Sequence, residues 1–448
     1  MGNRGNIKMK IILSAIMFIL LPASVFAEEI GLEESVTLAL AKNETIEGAK
    51  ASYEQSKYQL SAARRAAGLQ ISWSAGAKKI GGSYYRSNRA AYNPGSYSIF
   101  SDSYIKTSDP YANEFSNNIT AQFPLYTGGL IEGRIKSAEF QSKAAKINVE
   151  KNRQQIRFET ERAYYNLLQR ETLMKIAENA SKTAQEKLRV IQIQYEEGDV
   201  PKSDVLQMNV QIASYNQELT SAKGNYEEAL YQLARLIGKE GENFTLKDKL
   251  EYEPFPYTLQ EAESFAMENR PDKIISEYNV KSAKAAVDAA KAGYKPKINA
   301  TYTRSITDNR PFLRDGRTET WAAGLDMSWS VFDNAITKAN VDAAKADVKR
   351  VEAQKVNVEK NLLLETRSAY AQMKAAEANV LSSKIAVEQA KESYEIFSVR
   401  YEEGVDNLLS VTTAQERLIR AETNHSTALY NFNLYKSQLK RAMGVPIN

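Results

Sequence analysis

Few side chains in this chain could act on a reacting bond. One histidine, His425, occurs in 448 residues, and cysteine is absent. A nucleophilic triad would have to use His425, yet no Gly-x-Ser-x-Gly turn accompanies it. A metal site needs several His, Cys or carboxylate ligands at close spacing. His425 lies in a helical stretch between Glu422 and Leu429 with no second histidine, which predicts an ordinary helix-surface residue. The glycines form neither a phosphate loop nor a dinucleotide fingerprint, and Gly238-Lys239 lacks the rest of a Walker loop. The methionines do not cluster. These absences predict no enzyme, no metal and no cofactor. What remains is charge: Glu196, Glu197, Asp199 and Asp204 gather at one turn, and Glu402, Glu403 and Asp406 at another, against Lys202 and Arg400. Such groups serve ion pairing, repulsion and partner recognition.

The two turns are copies of one another. Tyr195-Glu196-Glu197-Gly198 recurs as Tyr401-Glu402-Glu403-Gly404, an offset of 206 residues. The same offset pairs Glu159-Thr160 with Glu365-Thr366, Ala163-Tyr164 with Ala369-Tyr370, Leu233 with Leu439 and Gly238 with Gly444. A register held over so long a stretch marks a duplicated unit. Toward the N-terminus the offset becomes 227 residues, from Leu32 to Leu259. The first copy therefore carries extra residues between its first helix and its long one, and insertions fall in loops.

The first ten residues carry Arg4, Lys8 and Lys10, an apolar run follows from Ile11 to Leu21, and small residues lead to Ala27. This is the pattern of a secretory signal peptide over residues 1–27, cut after Ala27. Its removal takes three basic residues and no acid, so the excess of 59 basic over 55 acidic residues almost vanishes. The charge balance thus gives no reason to expect nucleic acid. Without cysteine there is no disulfide and no lipid-acceptor thiol. No stretch after Ala27 is apolar and long enough for a transmembrane helix.

Each copy opens with helical periodicity, from Ile30 to about Ala67 and from Leu259 to about Tyr294. The period then drops to two. Alternation predicts four strands, at about residues 70–80, 114–125, 297–307 and 320–331. Two readings of them stay open: a small soluble sheet on a core, or strands crossing a bilayer. Three features favour the bilayer. All three tryptophans (Trp73, Trp321, Trp329) fall on the apolar parity, with Phe123 beside them as a further interface aromatic. The hairpin tips are long and polar, Gly81 to Pro110 above all. The long helices that follow are not patterned to cover a sheet. Four strands cannot close a barrel, and open edges in lipid leave backbone groups unsatisfied. Strands in lipid would therefore have to be pooled among several chains.

The junctions Phe123 to Gly129 and Trp329 to Ala335 lead into helices running to Glu197 and Glu403, each of roughly 100 Å at 1.5 Å per residue. Both carry a four-three stripe. In the second copy it is Ala369, Met373, Ala376, Val380, Ser383, Val387, Ala390, Tyr394, Phe397 and Tyr401; the first runs from Ala163 to Tyr195 at the same spacing. A seven-residue repeat predicts left-handed coiled-coil packing. The chain turns at Gly198 and Gly404 and returns as helix to Gly238 and Gly444. Residues 28–238 thus form a first repeat and 259–448 a second. Residues 239–258 read as a connector outside the main bundle.

In this order of helix, strand pair, long helix and hairpin, with the Phe123–Gly129 junction and the two Tyr-x-x-Gly turns, the chain resembles the TolC family of outer-membrane channel proteins over its whole mature length. The resemblance implies a mainly α fold with a β part. In it a homotrimer makes a twelve-stranded barrel in the outer membrane of a Gram-negative cell, continued by a coiled-coil α-barrel into the periplasm. It implies an exit duct for an inner-membrane transporter, joined through a periplasmic adaptor, in efflux or type I secretion. It carries over a latch from Tyr401 to Asp204. Asp406 stands where the family often has a basic residue, so the second latch is absent or rebuilt, and Ser410 and Thr413 stand where some members have acids ringing the aperture, so no acidic ring is expected there. Around a three-fold axis each acid near the turns would become a ring of three, and repulsion within it would resist closure. The turn residues Gly198, Asp199, Val200, Gly404 and Val405 are the expected adaptor contacts. A different class of protein also fits the pattern: a soluble periplasmic coiled coil, structural or adhesive.

Overall fold

The computed structural model describes residues 28–81, 111–241, 243–308 and 318–446. The expected signal peptide and both hairpin tips lie outside the described residues. The elements run β1 Glu28–Ile30, α1 Leu32–Lys42, α2 Glu44–Arg65, β2 Gln70–Gly81, β3 Tyr111–Tyr126, α3 Leu130–Glu197 and α4 Lys202–Ile237. They continue with β4 Phe244–Leu246, α5 Leu259–Asn269, α6 Pro271–Lys291, a short 3-10 turn Ala292–Tyr294, β5 Lys297–Asp308, β6 Thr318–Ser328, α7 Ile336–Glu402 and α8 Leu408–Met443. The extra residues of the first copy fall between β2 and β3, where residues 82–110 stand against 309–317 between β5 and β6.

The first helix of each copy, expected to be continuous, is broken in both. Asn43 is extended and its side chain caps α2 by accepting from the Thr45 N–H at 2.9 Å. In the second copy Arg270 precedes Pro271, and a residue before proline is driven out of the helical region. Periodicity ran through both breaks because the apolar face continues on either side.

Two left-handed residues swing each strand into its long helix. Gly128 and Gly129 (φ 70° and 99°) do so in the first copy, where Gly128 also leaves no room for a Cβ beside the Ala292 carbonyl. Asn334 and Ala335 (φ 51° and 65°) occupy the counterpart positions in the second. The turn is thus built twice, once without glycine and its conformational ease.

Strands β2, β3, β5 and β6 form one antiparallel sheet in that order. Register places Trp73, Ile119, Arg304 and Trp321 in one row, Ile71, Ala121, Tyr302 and Ala323 in the next, then Phe123, Ala300 and Leu325. This face is apolar yet exposed: Trp73 69 %, Trp321 71 % and Leu325 70 %. The opposite face is a polar ladder, with Thr120 beside Thr303, Ser305 donating to Asn118 at 2.6 Å, and Thr301 donating to Asp326. Strand β6 stops at Ser328, three residues short of the expected end.

Below the sheet, α3 packs on α2, α4, α6 and α8, and α7 packs on α6 and α8. Three apolar clusters hold the bundle. One, around Tyr164, Leu167, Leu233 and Ile237, belongs to the first copy; one, around Met373, Phe432 and Leu439, to the second. The third joins both helical hairpins near their turns. The α7 stripe is buried or half-buried throughout, whereas the α3 stripe ends on Tyr195, which is 42 % exposed.

The connector runs over the bundle with most of its residues exposed. Its β4 pairs in parallel with β1, and the Asp248 carboxylate accepts from the Leu32 N–H at 2.9 Å and the Tyr164 hydroxyl at 2.7 Å. Further on, Tyr252 stacks near Phe432 and donates to Glu377 at 2.7 Å, Lys436 pairs with Glu253, and Phe255 is buried in the second cluster. It is a belt stitching the two copies together. Composition could not reveal this, because these ties join residues far apart in the chain.

Candidate functional site: the paired helical turns

Both turns end a long helix with a left-handed glycine, Gly198 at φ 90° and Gly404 at φ 73°. In the first, the Asp199 N–H bonds the Gln194 carbonyl at 2.8 Å; in the second, the Val405 N–H bonds the Arg400 carbonyl at 2.8 Å. These bonds satisfy carbonyls that the ending helix leaves open. Asn407 restarts the helix, its side chain accepting from the Ser410 N–H at 2.9 Å and the Ser410 hydroxyl at 3.2 Å. Ser410 is thereby a capping partner. Thr413, one turn further on, is half-buried.

Beneath the turns lies the shared cluster. Ala184, Ile191, Met208, Val411 and Leu408 are almost fully buried, with Val200, Val205, Phe397 and Ile419 packed against them. The turn segments are therefore less open than expected: Gly198, Asp199, Gly404 and Val405 are exposed, but Val200 is half-buried and Leu408 and Val411 are core.

Tyr401 projects into this cluster. It is 7 % exposed, and its hydroxyl is buried without a hydrogen-bond partner among the described residues. Burial, and after it the charge of Asp204, holds the phenol above its ordinary pKa. The expected bond to Asp204 is thus not made in this conformation; Asp204 accepts from Ser203 instead, at 3.2 Å. Asp406 accepts from Arg400 at 3.2 Å within the same turn. Hydrogen bonding from Ser410, the Asn407 N–H and Arg400 keeps its carboxyl below the usual range. Most of the tip acids, Glu196, Glu197, Asp199, Glu402 and Glu403, are exposed.

Apolar side chains flank the turns in the open: Val190, Ile193, Leu206 and Val210 on the first hairpin, and Ile396, Val399, Val405 and Leu409 on the second. Sequence reading passed over them because they lie off the main stripe. His425 is not a plain surface residue. It is half-buried between α8 and α7, with Nδ1 2.9 Å from the Ser383 hydroxyl, and burial followed by the charge of Lys384 lowers its pKa.

At the other end of the molecule, Trp73 and Trp321 share one level of the sheet, while Phe123 sits toward the helices. Trp329 lies just past β6 and its indole donates to the Tyr294 carbonyl at 3.2 Å. From Ile298 to Arg304 this face of β5 runs about 20 Å at ~3.3 Å per residue. Two features there were missed: the Arg304–Glu319 ion pair at the Trp321 level, and Phe332, which is 86 % exposed at the junction. Among the described residues no group of His, Cys, Asp and Glu has metal-ligand geometry.

The chain matches the family profile described as outer membrane efflux protein over residues 36–239 and again over 264–445. It is 20 % identical over 337 residues to the outer membrane efflux protein BepC of Brucella suis biovar 1, covering 75 % of this chain and 73 % of that one. Over 356 residues it is 20 % identical to the outer membrane protein TolC of Escherichia coli K12, covering 74 % and 71 % of the two chains. The crystal structure of the CmeC outer membrane channel of Campylobacter jejuni has the same fold, with a TM-score of 0.75 at 19 % identity over 92 % of this chain and 85 % of that one. The chain belongs to the outer membrane efflux protein family.

Proposed function

We propose that three copies of this chain form an outer-membrane channel, an exit duct for the cargo of an inner-membrane transporter reached through a periplasmic adaptor. The observation that carries the reading is the four-stranded sheet. Its β2 and β6 edges are unpaired among the described residues, one face is apolar and exposed, and the other is lined with hydroxyls and amides. In lipid, such edges must be closed by other strands, and three copies supply twelve. The hydroxyl ladder then faces a wet lumen and the tryptophans face the bilayer margins. The hairpins continue the wall into the periplasm, and the turns with their exposed apolar flanks meet the adaptor. The family consists of channel proteins, which accords with a chain that gathers no catalytic groups.

Tyr401 and Asp204 are the groups proposed to latch the aperture, with Ser410 and Thr413 beside it on α8. Fractionation tests the whole reading. The protein is expected to stay with outer membranes through a carbonate wash and to run as a trimer in detergent. Recovery as a water-soluble monomer would overturn it in favour of a soluble coiled coil. Deletion of the gene, read by sensitivity to dyes and antibiotics alongside the profile of secreted proteins, separates efflux from type I secretion.

A further inference from the structure

The polar face of the sheet can be followed row by row from the helices outward. Lys297 stands opposite Ser328, and the next row holds Pro124, Asn299 and Asp326. Four complete rows follow, from that of Gln70 and Thr301 to that of Gly76 and Thr307. Their sixteen positions hold only Gly, Ala, Ser, Thr, Asn and Gln. Beyond them, Lys78 stands directly opposite Glu114. Among the described strand residues these two pairs are the only charges on this face.

The two pairs are built differently. Lys78 and Glu114 are neighbours across one ladder, so their fields largely cancel at a strand spacing of about 4.8 Å. Lys297 and Asp326 lie on different rows of adjacent strands, a diagonal of about 8 Å between backbones. They do not pair. Asp326 accepts from the Thr301 hydroxyl of the neutral row beyond it, and Lys297 is exposed with no hydrogen bond or ion pair among the described residues. A lysine left free beside a carboxylate that bonds elsewhere keeps both charges available to whatever passes.

We infer that Lys297 and Asp326 set the ion preference of the barrel as two opposing rings at its base, and that the neutral rows beyond pass either sign alike. This rests on the trimeric channel reading and adds to it where a charged cargo is first sorted within the barrel. Twelve strands about 4.8 Å apart and tilted by about 40° close a wall of roughly 12 Å radius. Side chains bring each ring of three charges within about 10 Å of the axis, one Debye length at about 0.1 M salt. At that distance and screening, three unit charges change the axial concentration of a monovalent ion about twofold, raising one sign and lowering the other. Neutralising one ring should therefore move the ratio of potassium to chloride permeability about fourfold.

Lys297→Gln and Asp326→Asn are made singly and together; both side chains are exposed, so neither change opens the core. Lys297→Met and Asp326→Ser stand in where a variant fails to assemble. Each protein is purified in detergent, its assembly mass is measured, and its reversal potential is read in planar bilayers across a potassium chloride gradient. Near about 0.1 M, the permeability ratio is expected to rise about fourfold for Lys297→Gln, to fall about fourfold for Asp326→Asn, and to stay near wild type for the double variant. Near about 1 M, where the Debye length is about 3 Å, all four proteins should agree. A conducting trimer whose ratio does not move in one or both single variants, or moves the same way in both, overturns the assignment and leaves the channel standing. Shifts that persist at high salt overturn it too. Wild-type protein that is monomeric or does not conduct overturns both.

Discussion

Tyr401→Phe separates packing from hydrogen bonding at the tip. The ring fills a cluster with Met208, Leu408 and Val411, which phenylalanine preserves. The hydroxyl is buried and bonds nothing in this conformation. A buried polar group left unpaired costs about 1–3 kcal/mol, so its removal should leave thermal stability here unchanged or raised. In a latched tip the same hydroxyl would donate to the Asp204 carboxylate, a bond worth about 1.5–3 kcal/mol. The substitution therefore biases each chain toward the unlatched form by at least ~1.5 kcal/mol, about tenfold in population. Three chains moving together would compound this to roughly a thousandfold. The purified variant is expected to melt no lower than wild type and to show a higher single-channel conductance in planar bilayers. A melting point lowered by a hydrogen bond's worth would mean that the hydroxyl is satisfied in this conformation. Unchanged conductance would remove Tyr401 from the latch.

Asp248→Ala should destabilise the protein by about 2 kcal/mol, measured by thermal unfolding, because it strips acceptors from the Leu32 N–H and the buried Tyr164 hydroxyl. Leu325→Arg, on the exposed apolar face, should lower the yield of folded protein in membranes, at a cost of about 2–4 kcal/mol per chain near a bilayer midplane. Thr303→Arg, on the polar ladder, should insert normally and alter conductance instead; equal behaviour of the two would contradict the assignment of faces. His425 has a folded pKa below its ordinary 6.5, so the unfolded chain takes up a proton first as the medium acidifies. Its contribution is thus constant above about pH 6.5 and is lost below it. Wild type should lose more of its melting temperature than His425→Gln between pH 7.5 and 5.

The duplication, the four strands and the long helices were legible because each rests on a repeated signal: an offset, a period of two, a period of seven. The breaks at Asn43 and Arg270 were not, since one cap or one proline interrupts the backbone without disturbing the apolar face. The ties made by the connector were not legible either, because Asp248 and Tyr252 bond residues far along the chain and Phe255 packs among distant residues. At the tip, the family resemblance paired Tyr401 with Asp204, whereas here the Tyr401 hydroxyl bonds nothing and Asp204 accepts from Ser203; whether a hydroxyl reaches a carboxylate depends on sub-ångström placement. The rows of Val190, Leu206, Ile396 and Leu409 were invisible while only the inward stripe was followed.

Pairing of β1 with β4 has a consequence for how the chain is made. Leu32 and its acceptor Asp248 stand 216 residues apart, so the first helix is clamped only after the connector has been made. Until then Ile30 lacks its β4 partner strand and the Tyr164 hydroxyl lacks the Asp248 carboxylate, though both residues are fully buried in the finished fold. The first half must therefore wait, half-built and in need of protection, for a strand that belongs to neither half.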